Sequence, residues 1–192
     1  MSSGTRWSSA LRSPSYQRAP WAIRAVLALA LAWELLTLDP VGVLSMALFI
    51  VLSFAYLLRD DKLPNVFDAL VALSALLNAF GFVFNLFDGP VLYDEVAHTV
   101  TIFSLTLASF FLVYRDAVPS GRALAMGTAV FTFGVTAGSL WEISEWLTGQ
   151  AFGITVVFGL SDAITDLIAN SVGALAAAFV ALAINGRAKR PA

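Results

Sequence analysis

The sequence contains no cysteine, a single histidine and few charges, which make up 12% of its 192 residues. Without cysteine there are no disulfides, iron–sulfur clusters or thiolate zinc sites. So little charge, with 59% hydrophobic residues and a mean hydropathy of +0.82, excludes a soluble domain of ordinary composition. The chain also lacks a Gly-rich phosphate loop, a basic stripe of the nucleic-acid-binding kind, an internal repeat and a lipidation motif. The expected partner is the lipid bilayer, with no role for nucleic acid.

What is present is a series of long apolar runs, at about 21–38, 41–58, 66–87, 91–114, 121–146 and 162–185. Each is near the roughly 20 residues of helix that cross a hydrocarbon core of about 30 Å. The predicted fold is all-α, a membrane bundle of six transmembrane helices over 21–186 with its core in 66–186. A disordered tail over 1–20 precedes it and a basic tail over 187–192 follows. Pro20, Pro40, Pro64, Pro90 and Pro119 stand just ahead of the first five runs, where a missing N–H costs nothing, and none is expected inside a span. Ser161 and Asp162 supply the N-terminal signal of the sixth. The first run is expected to be retained as an anchor, because it holds Glu34 and is followed by no small-residue cleavage pattern.

Basic residues set the expected orientation. Arg6, Arg12, Arg18 and Arg24 lead into the first span, Arg59 and Lys62 follow the second, Arg115 and Arg122 flank the turn after the fourth, and Arg187, Lys189 and Arg190 follow the sixth. If six helices alternate, all eleven fall on one side, so both termini are expected in the cytoplasm. The opposite connections, around 39–40, 88–93 and 147–161, contain none.

Polar residues recur at helical spacing toward the expected outer ends of the last four spans. Asn78, Gly81, Asn85 and Asp88 share a face of the third. Asp94, His98 and Thr101 line the fourth, Thr132, Thr136, Ser139, Glu142 and Glu145 the fifth, and Asp162, Asp166, Asn170 and Gly173 the sixth. Ionised side chains facing lipid are expensive, so these stripes are expected to converge inside the bundle. Asp94, Glu95, Glu142, Glu145, Asp162 and Asp166 then share a region without Lys or Arg, which calls for protons, water or a cation. The pairs D-x-x-x-H, E-x-x-E and D-x-x-x-D each place two ligands on one helix face, as bundle metal sites do. One imidazole among carboxylates suits a divalent Zn, Mn, Fe or Mg ion. His98, Glu142, Glu145, Asp162 and Asp166 are the candidate metal ligands.

Structural readings stand beside these. Asp94, Glu95 and Asp162 occupy helix N-termini, where acids serve as caps and dipole partners. Trp141 and Trp146 flank the glutamates like an interfacial belt, and Asn170 is equally suited to bonding a neighbouring helix. Gly134, Gly138 and Gly173 are expected to permit close helix approach.

The pattern Tyr93-Asp94-x-x-x-His98, Trp141-Glu142-x-x-Glu145-Trp146 and Asp162-x-x-x-Asp166 running into Gly173-Ala174 resembles the YjdF-type bacterial inner-membrane proteins and, more distantly, the VanZ-like family. In the VanZ-like pattern a lysine is usual where Glu95 stands and a glutamine where Glu145 stands, whereas Asp166-x-x-x-Asn170 matches. Both departures make the site more acidic and favour the YjdF type. The resemblance implies a multi-pass protein of the bacterial cytoplasmic membrane, and it supports site residues more than it supplies an activity.

The leading expectation is a metal-dependent or acid–base enzyme working at the outer face on a lipid or lipid-linked substrate. His98, Glu142 and Asp166 are its catalytic candidates, and Asn85, Asp94 and Asn170 its substrate-binding ones. The alternatives are a proton or divalent-cation transporter or channel, using the same acids as a vestibule, and a non-catalytic accessory subunit.

Overall fold

In lipid, each backbone N–H and C=O must find its partner within the segment, and apolar runs of this length meet that requirement as helices. The computed structural model describes residues 15–37, 40–55, 65–87, 92–114 and 122–187. The tails over 1–14 and 188–192, Asp88, the prolines Pro64, Pro90 and Pro119 and the connecting residues Arg59, Lys62 and Arg115 lie outside them. Six α-helices follow in order: α1 (Ser15–Thr37), α2 (Pro40–Ala55), α3 (Asn65–Val83), α4 (Tyr93–Ser109), α5 (Ala123–Phe152) and α6 (Leu160–Arg187). A π-helical turn, Phe110–Tyr114, continues α4. No strand occurs among the described residues.

Among the described residues, five helical segments are long and apolar enough to cross a membrane: Arg18–Thr37, Asn65–Val83, Tyr93–Leu112, Ala123–Phe152 and Leu160–Ile184. The second helix has 16 described residues, and the end of the expected 41–58 span lies outside the described residues. The expected tail up to residue 20 is corrected at its end, because α1 begins at Ser15 and Pro20 lies inside the helix. Pro20 gives up the bond to the carbonyl four residues back, and it is fully buried. The expected connection over 147–161 also contracts. Nothing between Trp146 and Phe152 breaks a helix, so α5 runs on to Gly153, whose left-handed φ of 66° closes it with a 2.9 Å bond from its N–H to the Gly149 carbonyl. The 30 residues of α5 rise about 45 Å, more than the roughly 30 Å of the hydrocarbon core, so the helix projects past it or tilts.

The chain divides into two compact units, one reaching to Tyr93 and one from Asp94 to Arg187. In the first, α1, α2 and α3 pack on one another, with Leu27, Met46, Phe67, Val71 and Ala72 at the centre. Their most consequential contact is ionic. Arg24 of α1, 4% exposed, pairs with Asp68 of α3 and donates to the Ser53 carbonyl of α2, while its guanidinium lies 5.3 Å from the Trp21 ring centroid and 4.9 Å from that of Phe54. Arg24 is therefore a buried three-helix tie as well as part of the basic leader. Glu34 is buried in the same unit.

In the second unit the buried apolar residues of α6 are small and the exposed ones large. Along α6, Ala174, Ala177, Ala178 and Ala181 face inward, whereas Ile164, Ile168, Val172, Leu175 and Phe179 face outward. Hydrophobic burial gives no drive between helices in lipid, so close packing of small residues does the work and large apolar side chains meet the acyl chains.

The Arg24 tie yields a test. Asp68→Ala strands a buried guanidinium, a change that typically costs about 3–5 kcal/mol, whereas replacing both partners with apolar residues is far milder. Thermal unfolding in detergent should show a large drop for Asp68→Ala and substantial recovery in Arg24→Met/Asp68→Leu.

Candidate active site around His98

Three helices of the second unit carry the candidate residues, and glycine sets how near they come. A methyl group on Gly173 of α6 would lie 2.4 Å from the Thr99 carbonyl oxygen of α4, so the two backbones touch there. The Thr99 hydroxyl donates to the Ala169 carbonyl at 3.2 Å in the same contact. On α5, a Cβ at Gly138 would meet the Asn170 side chain at 2.7 Å, and one at Gly134 would meet Ala174 at 2.6 Å and the Thr106 hydroxyl at 2.7 Å. The glycines singled out in the sequence are thus the points where α4, α5 and α6 close on one another.

Those contacts bring one polar residue from each helix to a common centre. His98 is buried, and both ring nitrogens face carboxylates: Nε2 lies 3.2 Å from Asp94 Oδ1, one helical turn back, and Nδ1 lies 3.2 Å from Glu142 Oε1 on α5. Asn170 of α6 links the two. Its Nδ2 donates to Glu142 Oε1 at 2.9 Å, and its Oδ1 stands 3.2 Å from His98 Nδ1. The two amide contacts agree with each other, since the amide nitrogen meets an acceptor and the amide oxygen meets a ring nitrogen able to donate.

Two sets of potential ligand atoms share this histidine. Asp94, His98 and Asp166 form one, and His98, Glu142 and Glu145 the other, with the atoms of each set within 4.8 Å of one another. Glu142, Asp166 and Asn170 are buried, and Asp94 and Glu145 half-buried. Of the expected site residues, His98, Asp94, Glu142, Glu145, Asp166 and Asn170 therefore gather at one centre.

Two others have different surroundings. Asp162 belongs to neither set, and its Oδ2 accepts from the Phe158 N–H at 2.8 Å, holding the 153–159 connection against the start of α6. This is the capping role weighed for it. Asn85 belongs to the first unit and is exposed, with φ 50°, where Leu86 N–H reaches back to the Gly81 carbonyl at 2.9 Å. It serves as the left-handed residue that ends α3, a position asparagine tolerates well. Asn170 bonds a neighbouring helix, as one of the two expectations for it had it, and reaches two helices at once, which that expectation does not include. Its position four residues after Asp166, opposite a glycine on α5, was the available signal.

The chain belongs to the DUF2238 family. That family's model, described as predicted membrane protein, matches residues 19–187, which covers every described helix from the second turn of α1 to the end of α6. This is the YjdF-like family to which the sequence pattern pointed, and no match supports the more distant VanZ-like likeness. No curated protein and no solved structure matches the chain significantly.

The glycine contacts predict unequal tolerance within the family fold. Gly173→Ala drives a methyl group against a backbone carbonyl that cannot move aside, and overpacking of this kind typically costs about 1–3 kcal/mol. Gly127→Ala meets only the movable end of Leu182, at 3.1 Å, and should be nearly neutral. Melting temperatures of the two variants in one detergent check the ranking.

Proposed function

We propose that the second unit is the catalytic part of a membrane-embedded enzyme that works by acid–base or metal-assisted chemistry on the headgroup of a lipid or lipid-linked substrate. The observation that carries this reading is the single imidazole held between carboxylates of two helices, with its Nε2 on Asp94 and its Nδ1 on Glu142. An imidazole oriented by a carboxylate on one nitrogen is arranged to take or give a proton through the other. Glu142 serves as a proton carrier or a ligand of a divalent ion, Asp166 as a proton carrier, and Asp94 and Asn170 hold the ring and the substrate. The apolar perimeter of α5 and α6, with Leu140, Ile143 and Trp146 exposed beside the glutamates, suits a substrate arriving from the bilayer. The arrangement of basic residues favours a site opening on the extracytoplasmic side of the bacterial cytoplasmic membrane.

The test uses full-length protein in vesicles of bacterial polar lipids, with headgroup release followed with and without Mn²⁺. Turnover is expected from the wild type. Removing a general acid–base group costs typically about 10²–10⁴-fold, so His98→Ala should fall by that order and Glu142→Gln steeply. Wild-type turnover in both variants would refute the reading.

One observation favours translocation of protons as a second reading. Beyond His98 on α4, the Ser104 and Thr106 hydroxyls are fully buried without a hydrogen-bond partner among the described residues, and water threading the unit would satisfy them. Proton flux in proteoliposomes that disappears in Glu142→Gln would place this reading first, and tight vesicles would remove it.

A further inference from the structure

One carboxylate oxygen in the cluster stands apart. Glu142 is 8% exposed, and its Oε1 is engaged by Asn170 and faces His98, yet its Oε2 is fully buried with no hydrogen-bond partner among the described residues. Leaving a buried charged acceptor unsatisfied typically costs more than the roughly 1–3 kcal/mol of a neutral group. Among the cluster's side chains only this one has such an atom. Glu145 follows three residues later on the same helix face, and it brings a carboxylate oxygen within 4.8 Å of ligand atoms of both Glu142 and His98. The missing partner is a donor or a cation; the second acid, Glu145, beside it favours the cation, on the side of the ring where the two glutamates converge.

We propose that Glu142, Glu145 and His98 Nδ1 bind one divalent transition-series cation, and that Asp94 is a positioning residue. This rests on the reading of the cluster as a cation-dependent site and adds which side of the histidine holds the ion. A neutral imidazole has one N–H and one lone pair. With no ion bound Nδ1 donates to Asn170 Oδ1; when the ion binds, that proton is released, the ring keeps its N–H on Nε2 where Asp94 accepts it, and the Nδ1 lone pair meets the metal, the carboxylate–histidine–metal arrangement that fixes tautomer and ring orientation together. Asn170 occupies Glu142 Oε1 and so presents Oε2 to the ion. Two carboxylates and one imidazole suit Zn²⁺, Mn²⁺ or Fe²⁺ and leave coordination positions for water or a substrate oxygen. Mg²⁺ prefers oxygen ligands and keeps its waters, so it fits less well. The second set, Asp94, His98 and Asp166, contains no orphaned buried oxygen.

Equilibrium dialysis of the purified full-length protein against Mn²⁺, with bound metal quantified per chain, decides the matter. The wild type should hold one ion. Glu142→Gln and Glu145→Gln should each lose at least tenfold in affinity, Asp94→Asn should keep the stoichiometry with affinity lower by about 10–100-fold, and Asp166→Asn should stay within a few-fold of wild type. A wild-type melting temperature in metal-free buffer shows that each isosteric variant is folded. No bound ion in the wild type would overturn the assignment, as would loss of the ion in Asp166→Asn while Glu145→Gln binds normally. Binding at these three residues without lipid turnover would remove the enzyme and keep the site, whereas turnover without bound metal would do the reverse.

Discussion

The second unit depends on one constraint: an imidazole and four carboxylates in an apolar surrounding have to satisfy one another. His98 does this by facing Asp94 with one nitrogen and Glu142 with the other, and Asn170 joins the ring to Glu142 from a third helix. The three interhelical contacts belong to three different helix pairs, so the polar centre fixes how α4, α5 and α6 stand together. The glycines serve the same end by different means. Without close backbone approach at Gly173 and Gly138, side chains as short as aspartate and asparagine would not reach across. Packing of small residues and polar satisfaction are thus two halves of one device, and a change in either is felt by the other.

The first unit solves the same problem with opposite charges. There a single arginine, buried among α1, α2 and α3, meets an aspartate and a backbone carbonyl and lies beside two aromatic rings. Positive and negative charge are paired within that unit, whereas the centre around His98 has an excess of acid with no Lys or Arg among its members. Stability explains the first arrangement fully. It does not explain the second, because an isolated acidic centre is a cost unless something positive occupies it.

Much of this could be read directly from the sequence. Hydropathy indicated the membrane, and helical spacing placed Asp94 and His98, Glu142 and Glu145, and Asp166 and Asn170 on common faces, because periodicity survives whatever the tertiary contacts turn out to be. The expectation that Gly138 and Gly173 bring helices together agrees with the structure for the same reason. Boundaries were less legible. Pro20 has the position of a start signal, yet helix precedes it, since one lost backbone bond is tolerated where packing holds the turn. The end of α5 depended on which of two glycines, Gly149 or Gly153, adopts the left-handed cap, and spacing alone does not decide that. The Arg24–Asp68 tie joins residues 44 apart, and no local pattern signals it. Asp162 illustrates a further limit: its position suits a cap and a ligand equally, and only the bond from Phe158 shows the cap in use.

Because His98 is the only histidine in the chain, its ring nitrogens can be observed without ambiguity. Nitrogen-15 resonance of histidine-labelled protein in lipid is the most direct test of the central arrangement. The account predicts two distinct, strongly perturbed ring-nitrogen signals, with the Nε2 signal moved by Asp94→Asn and the Nδ1 signal moved by Glu142→Gln. A pair of averaged signals characteristic of a solvent-exposed imidazole, indifferent to both substitutions, would contradict it.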